Sequence, residues 1–129
     1  MSERIMLAVP SLGEGGLDAE RSGHFGHCDC FTLVDIVDGE IAGTSTVANL
    51  PHEEGGCLRP VALLASMGVT ALLAAGMGPR PLAGFADAGI AVYFESETPR
   101  VGDAIRLVID GTAPIMEVRD ACGGHGGCH

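Results

Sequence analysis

Asp38-Gly39 constrains this chain more than any other feature. It sits between Phe31-Thr-Leu-Val-Asp-Ile-Val37 and Glu40-Ile-Ala-Gly-Thr-Ser-Thr-Val47. Both flanks are rich in β-branched residues, and Asp-Gly accepts the positive φ that a type I′ turn demands at both central positions. The stretch predicts an antiparallel hairpin. A third apolar run, Arg4-Ile-Met-Leu-Ala-Val9, precedes it and is ended by Pro10. That run is almost wholly apolar, as a strand buried on both faces has to be.

Beyond the hairpin the pattern changes to alternating helices and strands. Leu58 to Met67 reads as a helix, with Pro60 tolerated in its first turn and Gly68 at C′. Val69 to Ala74 is a buried strand, Arg80 to Ala88 a short helix closing on Gly89, and Ile90 to Phe94 a further strand. Thr98-Pro99 reads as N-cap and N1 of a helix running to about Asp110 and stopping at Gly111. Val101, Ile105, Val108 and Ile109 recur there at helical spacing. After Pro114 comes one short, weakly strand-like piece, Ile115 to Val118.

Such alternation implies parallel strands with helices on both faces, and the hairpin adds an antiparallel edge. The expected class is α/β: a three-layer α/β/α arrangement around a mixed sheet. At 129 residues the chain can bury one core. Residues 1–113 are read as a single domain and 114–129 as a Gly/His/Cys-rich tail.

Seventeen acids oppose seven arginines, with no lysine, for a net charge of −10. That balance repels phosphate backbones and anionic membranes, so neither nucleic acid nor membrane is an expected partner. Met1-Ser-Glu-Arg lacks the basic start and apolar run of a signal peptide, and no segment is long enough to span a bilayer. Five cysteines is an odd number without secretory context, which argues for a reducing, cytoplasmic setting with thiols free or metal-bound.

Every Cys and His falls in three loop-like segments. Ser22-Gly-His-Phe-Gly-His-Cys-Asp-Cys30 holds His24, His27, Cys28 and Cys30. His52-Glu-Glu-Gly-Gly-Cys57 holds His52 and Cys57, the latter at a helix start where N–H groups and the helix dipole lower a thiol's pKa. The tail supplies Cys122, His125, Cys128 and His129 among four glycines. Imidazole and thiolate are ligands for zinc, copper, iron and iron–sulfur clusters. The competing reading makes the loop cysteines small buried hydrophobes and gives His24 the task of bracing its loop. Gly76-x-Gly78 after a strand places backbone N–H groups where an anionic ligand can sit, or simply makes a tight turn.

Ser22-x-His24-Phe25-Gly26 before a strand, a glycine loop with a His opening a helix, and strand-Gly76-x-Gly78-helix-Gly89-Ile90-x-Val92-Tyr93 together resemble the dinitrogenase iron–molybdenum cofactor biosynthesis family. That family includes NifX-type carriers and small stand-alone domains. The resemblance covers about Ile5 to Gly111. It implies a ribonuclease H-like topology without nuclease activity, and binding or carriage of an iron–sulfur or molybdenum–iron–sulfur cluster. It also implies cluster donor and acceptor proteins as partners. A nuclease would need several carboxylates around two metal ions, and Ile5 to Val9 contains none.

The main expectation is a non-enzymatic cluster carrier or scaffold, monomeric or weakly dimeric. In it Cys28, Cys30 and Cys57 supply thiolates, His24, His27 and His52 assist, Gly76 and Gly78 allow close approach, and the tail folds over the site. A zinc- or copper-handling protein acting through the tail is the second expectation. A thiol enzyme with Cys57 as nucleophile and His52 as base is the third.

Overall fold

The computed structural model describes residues 4–23, 28–48, 58–76 and 79–116. Their elements are β1 (Arg4–Ser11), β2 (Cys30–Val37), β3 (Glu40–Ala48), α1 (Leu58–Ser66), β4 (Ala71–Ala74), α2 (Pro79–Asp87), β5 (Ala91–Phe94) and α3 (Val101–Ile109). The five strands form one sheet in the order β3-β2-β1-β4-β5. β1 pairs antiparallel with β2 and parallel with β4; β2 and β3 are antiparallel, β4 and β5 parallel. The class is therefore α/β with a mixed sheet.

The hairpin turn is built as its dipeptide requires, with Asp38 at φ +52° and Gly39 at +83°. β2 is buried along nearly its whole length, whereas β3, its outer neighbour, is largely exposed. Two apolar clusters flank the sheet. One gathers Ala8, Phe31, Leu33, Leu72 and Val92 with Val61 and Leu64 of α1 and Leu82 and Phe85 of α2. The other gathers Leu7, Val9, Val34, Ile36 and Leu73 with Val101, Ala104, Ile105 and Val108 of α3. Alternate residues of β1 enter opposite clusters, which is why that strand had to be apolar throughout.

Helix and strand ends shift by one or two residues in α1, β4, α2 and β5, and the boundaries of β1 and α3 differ in ways that bear on the site. β1 continues through Pro10 to Ser11, paired with Phe31 and Cys30. The parallel ladder with β4 involves only Leu7 and Ala8, so Pro10 stands where β1 has a strand on one side alone, and its missing N–H breaks no central ladder. α3 begins at Val101, not after a Thr98 cap; its N-cap is Arg100, without a side-chain cap bond. The first amides of α3 are satisfied instead by loop carbonyls, Val101 N–H by Ala19 and Gly102 N–H by Leu17, at 3.0 and 2.8 Å. Gly102 is needed for that approach, since a Cβ there would stand 3.1 Å from the Leu17 oxygen.

Candidate functional site

Strands β1, β4 and β5 are parallel, so their carboxyl ends share one end of the sheet. From β1 the chain passes to β2 on one side; from β4 it passes through α2 to β5 on the other. The divergence between β1 and β4 is a topological switch point, the place where open α/β sheets present a ligand crevice. The chain leaves β1 there into the loop that ends in Cys28-Asp29-Cys30, and leaves β4 there at Gly76. Gly76 has φ +151°, a conformation open in practice to glycine alone.

The stems of the Cys loop are fastened to consecutive carbonyls at the end of β1. Ser22 N–H donates to Pro10 O at 2.9 Å and Asp29 N–H to Ser11 O at 3.1 Å. Asp29 reaches back through its carboxylate, which accepts from Gly13 N–H at 2.7 Å. Ser11 and Thr32, both fully buried, share a hydroxyl–hydroxyl bond of 2.7 Å, and Gly16 N–H donates to the Thr32 hydroxyl. Residues 12–16 therefore lie over the end of β2, with Gly15 so close that a Cβ would meet the Cys30 Sγ at 2.8 Å.

Arg21 anchors the same stem from the other side. Its guanidinium, 5% exposed, donates to Glu95 Oε1 at 2.6 Å, to Thr98 O at 2.9 Å and to Glu95 O at 2.6 Å. Its backbone N–H donates to Pro99 O at 2.7 Å. Glu95 in turn accepts from the Glu97 and Thr98 amides and the Thr98 hydroxyl. Burial pulls the Glu95 carboxyl upward, but these donors and Arg21 outweigh it and hold the group below its usual range. The connection from β5 to α3 is thereby tied to the loop that precedes Cys28. An arginine between Glu20 and Ser22 in a polar loop carries no periodic signal, so only its tertiary partners mark this clamp.

Cys28 and Cys30 are both buried, at 5% and 6% exposure. Cys28 joins the cluster under α1 and α2, while Cys30 follows the β2 alternation onto the face of Thr32 and Val34 and donates to Gly13 O at 3.6 Å. The two side chains thus pack in different surroundings, while Cys30 still helps to raise the Cys28 thiol electrostatically. Burial pushes the Cys28 thiol up to about 12, against a smaller opposing effect of the Ser11 backbone; burial, then Asp29, raises Cys30. Burial therefore disfavours a thiolate at Cys28 in the metal-free chain. Among the described residues no three His, Cys, Asp or Glu side chains come together. His24, His27, His52, Cys57, Gly78, Cys122, His125, Cys128 and His129 lie outside the described residues.

The family model described as dinitrogenase iron-molybdenum cofactor matches residues 5–111. An uncharacterized protein of Methanocaldococcus jannaschii is 33% identical over 98 residues, 74% of this chain and 82% of that one. The apo form of the orange protein from Desulfovibrio gigas superposes with a TM-score of 0.76 at 28% identity, covering 90% of this chain and 96% of that chain. A Thermotoga protein named for NifB superposes with a TM-score of 0.70 at 27% identity, covering 86% and 92%.

Proposed function

This chain belongs to the dinitrogenase iron–molybdenum cofactor family, and we propose that within it the chain is a non-enzymatic carrier or scaffold for an iron–sulfur or molybdenum–iron–sulfur cluster. The cluster is cargo, received from one protein and passed to another. The observation that carries the reading is the Cys28 loop at the β1/β4 switch point, with both stems hydrogen-bonded to Pro10 and Ser11. A carrier needs its ligands on a preset frame, so that binding does not have to order a long loop.

The chemistry of the described donors fits such cargo. Cys28 is a soft ligand in apolar surroundings, and thiolates hold clusters in which burial and hydrogen bonds to sulfur set the properties. Cys30, His24 and His27 belong to the same loop. α1 turns through Gly68 into β4 and packs back on the sheet, so its start at Leu58 points toward the carboxyl end. Cys57 and His52, just before that start, are assigned to the site on this ground, with Gly76 and Gly78 as the close-approach glycines. The strand order 3-2-1-4-5, with α1 and α2 sharing one cluster and α3 the other, supports the ribonuclease H-like, three-layer reading.

Anaerobic reconstitution with iron and sulfide, with and without molybdate, tests the proposal. The expected product is brown, with broad visible absorption that Cys28→Ala and Cys57→Ala remove while the far-ultraviolet circular dichroism is kept. A colourless product holding stoichiometric zinc, indifferent to both substitutions, overturns it.

A further inference from the structure

β3 closes one side of the sheet, and among the described residues nothing pairs with its outer edge. Ile41 and Val47 are half-buried; the rest of the strand is exposed. From Ile41 to Ala48 it holds no charged residue and no proline. An exposed edge offers its outward N–H and C=O groups as a template for another strand, and lysine, proline, an inward charge or a bulge is how proteins blunt it. The bulge here falls at Ala42, between the pairs Asp35–Gly43 and Ile36–Ile41. Gly43 to Ala48 keep a regular register with Asp35 to Cys30, so that stretch stays an open template.

The opposite edge of the sheet is covered. Phe94 N–H donates to Pro114 O at 2.8 Å and Met116 N–H to Val92 O at 2.6 Å, with Tyr93 bridged to Ile115 in antiparallel sense. With β5 taken and β3 open among the described residues, edge-to-edge pairing between copies closes at two and builds no filament.

We propose that β3 is a docking edge for β3 of a second copy, antiparallel about a two-fold axis at Ser45. That register sets Ser45 against its own copy, Thr44 against Thr46 and Gly43 against Val47. No charge opposes a charge there, and cross-strand threonine pairs are favourable. The occupant is a second copy because this stretch is its own complement. Each copy carries a net charge of −10, and pairing neutral strands joins them without setting carboxylate against carboxylate. The product is one ten-stranded sheet. A single strand pair covers less than about 1,200 Å², the range of weak, reversible association, so a Kd on the order of 0.1 mM is expected.

Sedimentation and amide nuclear magnetic resonance of the full-length, metal-free chain, from about 20 μM to 1 mM, test the docking. The expected result is a concentration-dependent dimer whose amide shifts centre on Gly43 to Val47. Salt should tighten it by screening the like net charges. Ser45→Glu sets two carboxylates opposite each other on the axis and should weaken the dimer about fivefold or more. Thr112→Glu adds the same charge in the exposed turn after α3 and should change the Kd by less than about twofold. A chain still monomeric at the highest concentration overturns the proposal and leaves the edge to a strand of another protein. Shifts centred elsewhere, weakening by salt, or a dimer indifferent to a folded Ser45→Glu variant overturn it too. Should that variant fail to fold, the wild-type concentration and salt series decide alone. None of these readings involves a metal, so they stand apart from the cluster reconstitution.

Discussion

Replacing Glu95 by Ala leaves the Arg21 guanidinium, 5% exposed, with only the Thr98 and Glu95 carbonyls as acceptors. Its Nε is already buried without a hydrogen-bond partner, so nothing is in reserve to absorb the charge. The same change strips the acceptor from the Glu97 amide and from the Thr98 amide and hydroxyl. Breaking a buried pair in this way costs about 3–5 kcal/mol. Arg21→Met is gentler, since Glu95 keeps those three donors and the methionine fills part of the space; the lost charged hydrogen bonds set its cost at about 2–3 kcal/mol. Against a typical total of about 5–15 kcal/mol, either change is large. Urea unfolding followed by circular dichroism reads both, and with a slope of about 2 kcal/mol/M the Glu95→Ala midpoint falls by about 2 M. The double variant is expected to lose at least about 1.5 kcal/mol less than the sum of the singles, because it leaves no orphaned charge. Additivity within about 0.5 kcal/mol would refute the clamp. The pH dependence follows with its sign. Glu95 titrates below its unfolded value of 4.5, so its contribution is complete above that pH and is lost as pH falls through the folded value. Wild type should therefore lose more stability than Glu95→Ala below pH 4.5.

Gly15→Ala should cost about 2–4 kcal/mol, combining a strained φ of +75° with contacts under or at 3.0 Å to Cys30, Thr32 and Thr46. Gly13→Ala, at φ +64° with nothing within 4 Å, should cost only about 1 kcal/mol, and equal losses in thermal unfolding would contradict the close packing of residues 12–16. In the metal-free protein at pH 8 the thiolate fraction of Cys28 should be roughly a thousandth of an ordinary thiol's. Peptide-mapped iodoacetamide labelling should then show Cys28 protected in the native chain and accelerated as pH rises, and labelling as fast as in urea would contradict its burial.

Some of this was legible in the residues alone. Asp38-Gly39 fixed the hairpin because few dipeptides tolerate its two positive φ angles, and the turn is local. The apolar runs around Leu7 and Leu72 announced central strands, since both of their faces meet apolar clusters. Gly68, Gly89 and Gly111 marked where helices stop, again a local matter of backbone sterics. The family followed from the motif order.

What the residues did not reveal was settled between distant segments. Thr98-Pro99 looked like a helix start, yet the Thr98 hydroxyl serves Glu95, and the α3 amides go to the Leu17 and Ala19 carbonyls. Cys28 and Cys30 stand two apart in sequence, yet Cys28 packs in the cluster under α1 and α2 while Cys30 opens β2 on the face of Thr32 and Val34, surroundings that only the sheet defines. Arg21 gave no signal, because its role lies in partners more than 70 residues away. Short-range rules fixed turns, strands and helix ends, where backbone sterics and side-chain period suffice. The arrangement around the Cys loop was decided only when the sheet brought β1, β4 and the β5–α3 connection to one end, because buried charges and amides there must find partners wherever the fold places them.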